Sequence, residues 1–175
     1  MEKNIEKESE LKKLEKGVLI RSYRGIDDRA FILSAFMRSA LEWGDAFNGA
    51  HYKEFNEHMV PRFTEKLTEN NCLVACNREN YQQIYGYIVF EKEKLVHEQT
   101  RNIVHWIYVK NLMRGCNIAT YLFYSAFGVK SQPYEIMHPF ETPILLEIKS
   151  RFPKTLKLKK NFLVFMEKRT EDAGL

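Results

Sequence analysis

The spacing of apolar residues changes period several times along the chain, and each change marks a boundary between elements. "VLIRSY", Val18 to Tyr23, reads as a first strand closed by Arg24-Gly25. "IDDRAFILSAFMRSALEW" reads as a helix, with Asp27 or Asp28 near its start and Gly44 after its end. A second helix spans roughly residues 51–68, where Tyr52, Phe55, Met59, Phe63 and Leu67 recur at spacings of three and four. The period then shortens to two. "NCLVACN" and "IYGYIVFEKE", separated by the polar "NRENYQQ" and closed by the charged "EKEK", predict hairpin-connected strands.

The next stretch, "NIVHWIYV" (Asn102 to Val109), is apolar on both alternating faces. Ile103, Ile107 and Val109 share one face with His105, and Val104, Trp106 and Tyr108 take the other, which predicts a central strand covered on both sides. A polar turn follows, then "IATYLFYSAF" as a short helix ended by Gly128 and "PYEIMHP" as a short strand. "ETPILLEIKSRF" reads as a helix and "TLKLKKNFLVFMEK" as one or two closing strands. The order β-α-α-β-β-β-α-β-α-β predicts an α/β or α+β architecture, a mixed sheet with helices on both faces.

Length narrows this to one compact domain, because 175 residues suffice for one core but not comfortably for two. The expected division is a charged extension over residues 1–16, a single domain over 17–168 and a short tail over 169–175. The extension holds five Glu and five Lys with only Ile5, Leu11 and Leu14 as aliphatics, a solvated pattern. Hydrophobic residues at 45% and 12 Phe, 9 Tyr and 2 Trp exclude disorder of the whole chain. Cys72, Cys76 and Cys116 form no CxxC pair and have no His at metal-ligand spacing, so no metal site or disulfide framework is expected. No apolar run reaches the ~18 residues of a membrane span, and the first residues carry no secretory h-region. A cytoplasmic protein, monomeric or homodimeric and without membrane attachment, is the expectation.

The formal net charge of +4 allows an anionic partner without requiring one. Lys149, Arg151, Lys154, Lys157, Lys159 and Lys160 form one basic block with no acid among them. Such a block suits a ligand phosphate or a nucleic-acid backbone, and solvation is the commonest fate of a charged face.

The informative stretch is the turn "MRGCNIAT" between the most apolar strand and the helix after it. A strand that turns into a helix presents the helix's first N–H groups together with the positive end of its dipole, a natural anion site. Gly115 lets the backbone turn, Asn117 is among the few residues besides glycine that tolerate a left-handed conformation, Ala119 is small, and Thr120 adds a hydroxyl. A phosphate group fits there best.

On these residues the sequence resembles the GNAT (GCN5-related N-acetyltransferase) superfamily. "YVKNLMRGCNIATYL" looks like its acyl-CoA-binding pattern, Arg/Gln-x-x-Gly-x-Gly/Ala after a central strand ending in Val. Arg114 takes the first position and Ala119 the last, with Ile118 before it, and Asn117 stands where the family usually has Gly. The element order from Val18 to about Lys168 is also similar to the GNAT order. More narrowly, "LIRSYR", "LVAC", "IYGYIVFE" and "VHWIYVK…RGCNIA" resemble the small GNAT-like proteins of tailed phages and prophages.

The resemblance implies a GNAT-like mixed, largely antiparallel central sheet, acetyl-CoA or another acyl-CoA as co-substrate, and acyl transfer to a primary amine. It implies that backbone N–H groups from about Arg114 through Gly115, Cys116, Asn117, Ile118, Ala119 and Thr120 hold the pyrophosphate. It also implies that main chain at Ile107, Tyr108 and Val109 pairs with the pantetheine arm where the central strand splays from its neighbour. His105 lies where some arylalkylamine-type GNATs carry a histidine and is the candidate general base; a hydrogen-bonded core histidine is the alternative. The family's frequent general acid, a tyrosine in the later helix, has no counterpart in "ETPILLEIKSRF", leaving His138, Thr142, Tyr134 and Tyr124 as substitutes more readily explained by capping or packing. The acceptor is expected between the Trp43 to Tyr52 link, the "IYGY" strand and the terminal strands, with Glu42 and Asp45 as acids for a cationic amine. A Mom-like nucleic-acid-modifying enzyme, a CoA-binding module without turnover, and a structural protein in which the turn is only a helix cap are the rival functions.

Overall fold

A computed structural model of the chain describes residues 17–42, 52–96, 98–128, 134–152 and 154–161. The expected extension over 1–16, the Trp43 to His51 part of the acceptor link, any second closing strand and the tail over 169–175 lie outside these residues. The elements follow the predicted order: β1 (Val18–Ser22), α1 (Ile26–Glu42), α2 (Tyr52–Glu65), β2 (Cys72–Asn77), β3 (Ile84–Val96), β4 (Gln99–Val109), α3 (Ile118–Phe127), β5 (Tyr134–His138), α4 (Pro143–Arg151) and β6 (Leu156–Lys160). A one-turn 3₁₀ helix, Asn111–Met113, links β4 to α3.

The six strands lie in chain order across one sheet. β1 through β4 are antiparallel, whereas β5 joins β4, and β6 joins β5, in parallel. Helices α1 and α2 cover one face, with Phe36 stacked on Phe63 at 3.8 Å and edge-on to Trp106 at 5.0 Å. Helices α3 and α4 cover the other, where Leu122, Phe123, Ile144 and Ile148 pack on Ile88, Val104 and Ile107. This is the mixed sheet with helices on both faces expected from the element order, and its mostly antiparallel pairing is what the resemblance implies. Among the described residues no helix is long and apolar enough to cross a membrane.

Two local readings need correction. The charged "EKEK" does not close β3 but lies inside it, because the strand runs on to Val96 and pairs with the start of β4 through Leu95↔Thr100 and Val96↔Gln99. Charged residues are tolerated there because Lys92 and Glu93 are exposed, while the less exposed Glu91 and Lys94 pair with each other. The strict alternation along β4 also fails. Phe90 pairs with Val104 and Val89 with Trp106, so His105 is the extra residue of a β-bulge. A bulge shifts the side-chain parity by one, and Val104 therefore packs with Ile107 and Val109 on the α3/α4 face instead of with Trp106.

Pairing on the two edges of β4 is unequal. Toward β3 it runs to the last residue, Val109, opposite Gly86. Toward β5 it consists of Asn102↔Ile136 and Ile103↔Met137 alone, so from Val104 onward that edge has no strand beside it among the described residues. Gly86 permits the close approach on the paired edge, because a Cβ there would lie 2.5 Å from the Tyr108 carbonyl oxygen and 3.2 Å from the Val109 Cα. Both obstacles are backbone and cannot swing aside. Gly86→Ala is therefore expected to destabilise the fold by about 1–3 kcal/mol, measured by denaturant unfolding; an unchanged midpoint would show that β3 and β4 can separate without cost.

Candidate functional site

The last residues of β4, the turn after it and the first turn of α3 form one wall of a cleft, and α4 forms the other. The cleft encloses about 320 Å³ and is lined by Val109, Met113, Arg114, Gly115, Asn117, Ile118, Ala119 and Thr120 on the first side. Ile144, Glu147, Ile148 and Arg151 face them. Of the residues assigned to acyl-CoA binding from sequence, seven line this cleft. Ile107 is buried in the α3/α4 core, Tyr108 stacks on Tyr87 across the sheet at 5.7 Å, and Cys116 turns its side chain into the core. These three do not line the cleft.

The backbone of the turn is as unusual as its sequence suggests. Gly115 has φ 83° and Asn117 has φ 59°, ψ 8°, both left-handed. Asn117 is the residue before α3, yet its side chain does not cap the helix. By contrast Thr142 caps α4 in the ordinary way, its Oγ1 accepting from the Leu145 N–H at 3.2 Å. The first turn of α3 thus opens on the cleft without a side-chain cap, at the positive end of the helix dipole. Arg114 folds back on the strand, its Nε donating to the Val109 carbonyl at 3.3 Å.

Residues of α4 complete the site: Ile144, Glu147 and Ile148, which the sequence reading passes over, and Arg151, which it places only in the basic block. Arg151 donates to Asn117 Oδ1 at 2.7 Å, to Thr120 Oγ1 at 3.2 Å and to Glu147 Oε1 at 2.6 Å. The spacing of Ile144, Glu147, Ile148 and Arg151 at three, four and seven puts them on one helix face, a signal present in the sequence. The basic block itself is divided by the fold. Lys149 and Arg151 end α4, while Lys157, Lys159 and Lys160 lie exposed on β6.

His105 lies elsewhere, in a buried polar cluster. It is 1% exposed, and its Nε2–H donates to Glu91 Oε1 at 2.8 Å. The same carboxylate accepts from Lys66, 2% exposed, at 3.4 Å and pairs with Lys94 at 3.0 Å. Burial raises the Glu91 pKa, but the hydrogen bond from His105 and the ammonium groups of Lys66 and Lys94 outweigh it and hold the carboxyl well below its usual range. Burial lowers the pKa of His105, more than the contact with Glu91 raises it, and keeps the imidazole neutral.

The substitutes considered for a general acid have local duties. Thr142 is the α4 cap, Tyr124 packs on Phe152 at 5.4 Å, and Tyr134 begins β5. His138 is buried at the end of β5, with Nδ1 3.1 Å from the Phe140 carbonyl, and burial lowers its pKa. Glu42 ends α1 on the surface, while Trp43 and Asp45 are outside the described residues. No group of three or more potential metal ligands occurs among the described residues.

No family model matches the sequence, and no curated protein matches it. Solved structures do match. The chain superposes with a TM-score of 0.53 and 15% identity on a possible acetyltransferase from Clostridium difficile 630, over 83% of this chain and 94% of that one. The fold is GNAT-like. A predicted acetyltransferase with acetyl-CoA from Clostridium acetobutylicum matches at TM-score 0.44 and 18% identity, covering 90% of this chain and 95% of that one. A GCN5-related N-acetyltransferase from Sphaerobacter thermophilus matches at 0.44 and 16%, over 64% of this chain, and the match spans about a third (31%) of that longer protein.

The polar cluster around Glu91 gives stability a defined pH dependence. An unfolded chain protonates His105 below about pH 6.5 and Glu91 below about 4.3, whereas the fold resists both protonations. The unfolded state then binds more protons, so stability falls as pH drops through each value. Glu91→Gln is expected to cost about 3 kcal/mol at neutral pH by withdrawing the anion from buried Lys66 and to remove the lower of the two acid steps. Unfolding measured between pH 3 and 8 checks this, and an unaltered acid limb in the variant would contradict it.

Proposed function

We propose that the protein is an acyl-CoA-dependent N-acyltransferase, most simply one that moves an acetyl group from acetyl-CoA to a primary amine. The observation that carries this reading is the uncapped start of α3 with two left-handed residues before it, opening on a cleft at the end of β4, where that strand has diverged from β5. Phosphate oxygens suit the N–H groups of Gly115 through Thr120, and the main chain of Ile107 to Val109 suits the amide groups of a pantetheine arm. The GNAT-like fold supports the same assignment. Residues 17–168 serve as the catalytic domain in this reading, and the narrower likeness to phage GNAT-like proteins stays with the sequence motifs.

Transfer requires a neutral amine about 3–3.5 Å from the thioester carbonyl, with the developing oxyanion met by a donor. The amine nitrogen bonds to the carbonyl carbon, loses a proton to a base, and expels the CoA thiolate, which takes up a proton. His105 is the base in this scheme: it is neutral, and with the Nε2 proton given to Glu91 its basic lone pair is on Nδ1. No side chain is assigned to protonate the thiolate, which bulk solvent can do.

Two substitutions test the scheme. At Gly115 a Cβ would meet nothing within 4 Å, and Asp and Asn bear the same strain of its φ of 83°, so the two substitutions differ in charge. Gly115→Asp is expected to weaken CoA binding, measured by calorimetry, by about tenfold or more, while Gly115→Asn, which tolerates the same backbone, retains most of it. Equal affinity of the wild type and the Asp variant would remove the phosphate from this turn. For the base, His105→Ala is expected to lower kcat by about 10²-fold, with CoA affinity preserved; a folded variant with an unchanged pH–rate profile would make His105 a packing residue only.

A further inference from the structure

Arg151 is placed where its charge is poorly matched. Its guanidinium lies across the cleft at the amino end of α3, the positive end of that helix, and it is held there by two neutral oxygens, on Asn117 and Thr120, and one carboxylate, Glu147. The carboxyl end of its own helix favours the cation, but the α3 terminus it faces does not. An anion seated between α3 and Arg151 would be attracted by both at once. The residue is also able to turn to a ligand, since its side chain is about a third exposed (35%) and Glu147 is half exposed (50%). A guanidinium presents a planar fork that matches two phosphate oxygens.

Resting on the acyl-CoA reading above, we propose that Arg151 is the side-chain ligand of the CoA diphosphate, and that it reaches the phosphate by giving up Glu147. In the structure described, the contact with Asn117 Oδ1 helps to hold that residue in its left-handed conformation, so Arg151 shapes the turn before it serves the ligand. Binding then replaces one carboxylate by a diphosphate on the same guanidinium, and the N–H groups at the start of α3 gain the anion they lack. This gives a physical reason for Asn117 in place of glycine: its side chain is the handle by which α4 is tied to the turn. The diphosphate is the group chosen rather than the 3′-phosphate because Asn117 and Thr120, the partners of Arg151, flank the uncapped first turn of α3.

The experiment is calorimetry with CoA, dephospho-CoA and pantetheine on the full chain and on Arg151→Gln and Glu147→Gln. Arg151→Gln is expected to weaken CoA and dephospho-CoA by the same factor, about 10- to 100-fold for a charge-assisted hydrogen bond, and to leave pantetheine unchanged. Glu147→Gln is expected to bind CoA more tightly than wild type, because the competing carboxylate is gone; a residue that merely braced α4 against α3 would not give this gain. Wild-type affinity in Arg151→Gln overturns the proposal, and a loss confined to CoA overturns the choice of the diphosphate. Failure of the wild-type chain to bind CoA overturns this inference together with the acyl-CoA reading, whereas binding that is insensitive to Arg151 overturns the inference alone.

Discussion

The unequal pairing of β4 is the constraint on which the rest of the structure depends. Its edge toward β3 is hydrogen-bonded to the last residue, and among the described residues its edge toward β5 pairs at Asn102 and Ile103. A strand that diverges from its neighbour in the middle of a sheet brings backbone donors and acceptors to the side of the gap. The same divergence opens the space into which the start of α3 and the side of α4 face. Gly86 holds the paired edge close, and the bulge at His105 lets the strand change its course.

At the mouth of the cleft the chain arranges charge with very few residues. Two left-handed positions in three residues aim the first turn of α3 at the opening, and that turn carries no side-chain cap. Arg151 then bonds Glu147 on its own helix and Asn117 and Thr120 across the gap. The polar atoms are satisfied within the protein, yet a doubly charged diphosphate would satisfy the helix terminus and the guanidinium better than Glu147 alone does.

The Lys66–Glu91–His105 cluster occupies the place where the bulge interrupts the apolar face of β4. A bulge leaves a residue outside the regular ladder, and a carboxylate next to it on β3 gives that residue a fixed partner. The cluster ties β3, β4 and the residue following α2 to one another. Burial makes its pairing costly to break, so it locks the register of the two strands where a one-residue slip would exchange the faces.

Much of this was legible in the sequence. Periodicity set the number, order and type of the elements, because each strand or helix must match its own spacing to bury a face, and "RGCNIA" announced a left-handed turn at a helix start through the few residues able to make one. What the spacing could not carry was decided by contacts between distant segments. The bulge at His105 is invisible in an apolar run, since it arises from the register against β3 and moves Val104 to the opposite face. The burial of His105 follows from Glu91 and Lys66, residues 14 and 39 positions earlier. The partnership of Arg151 with Asn117 joins residues 34 apart in the chain, and only the packing of α4 beside α3 brings them within hydrogen-bond distance.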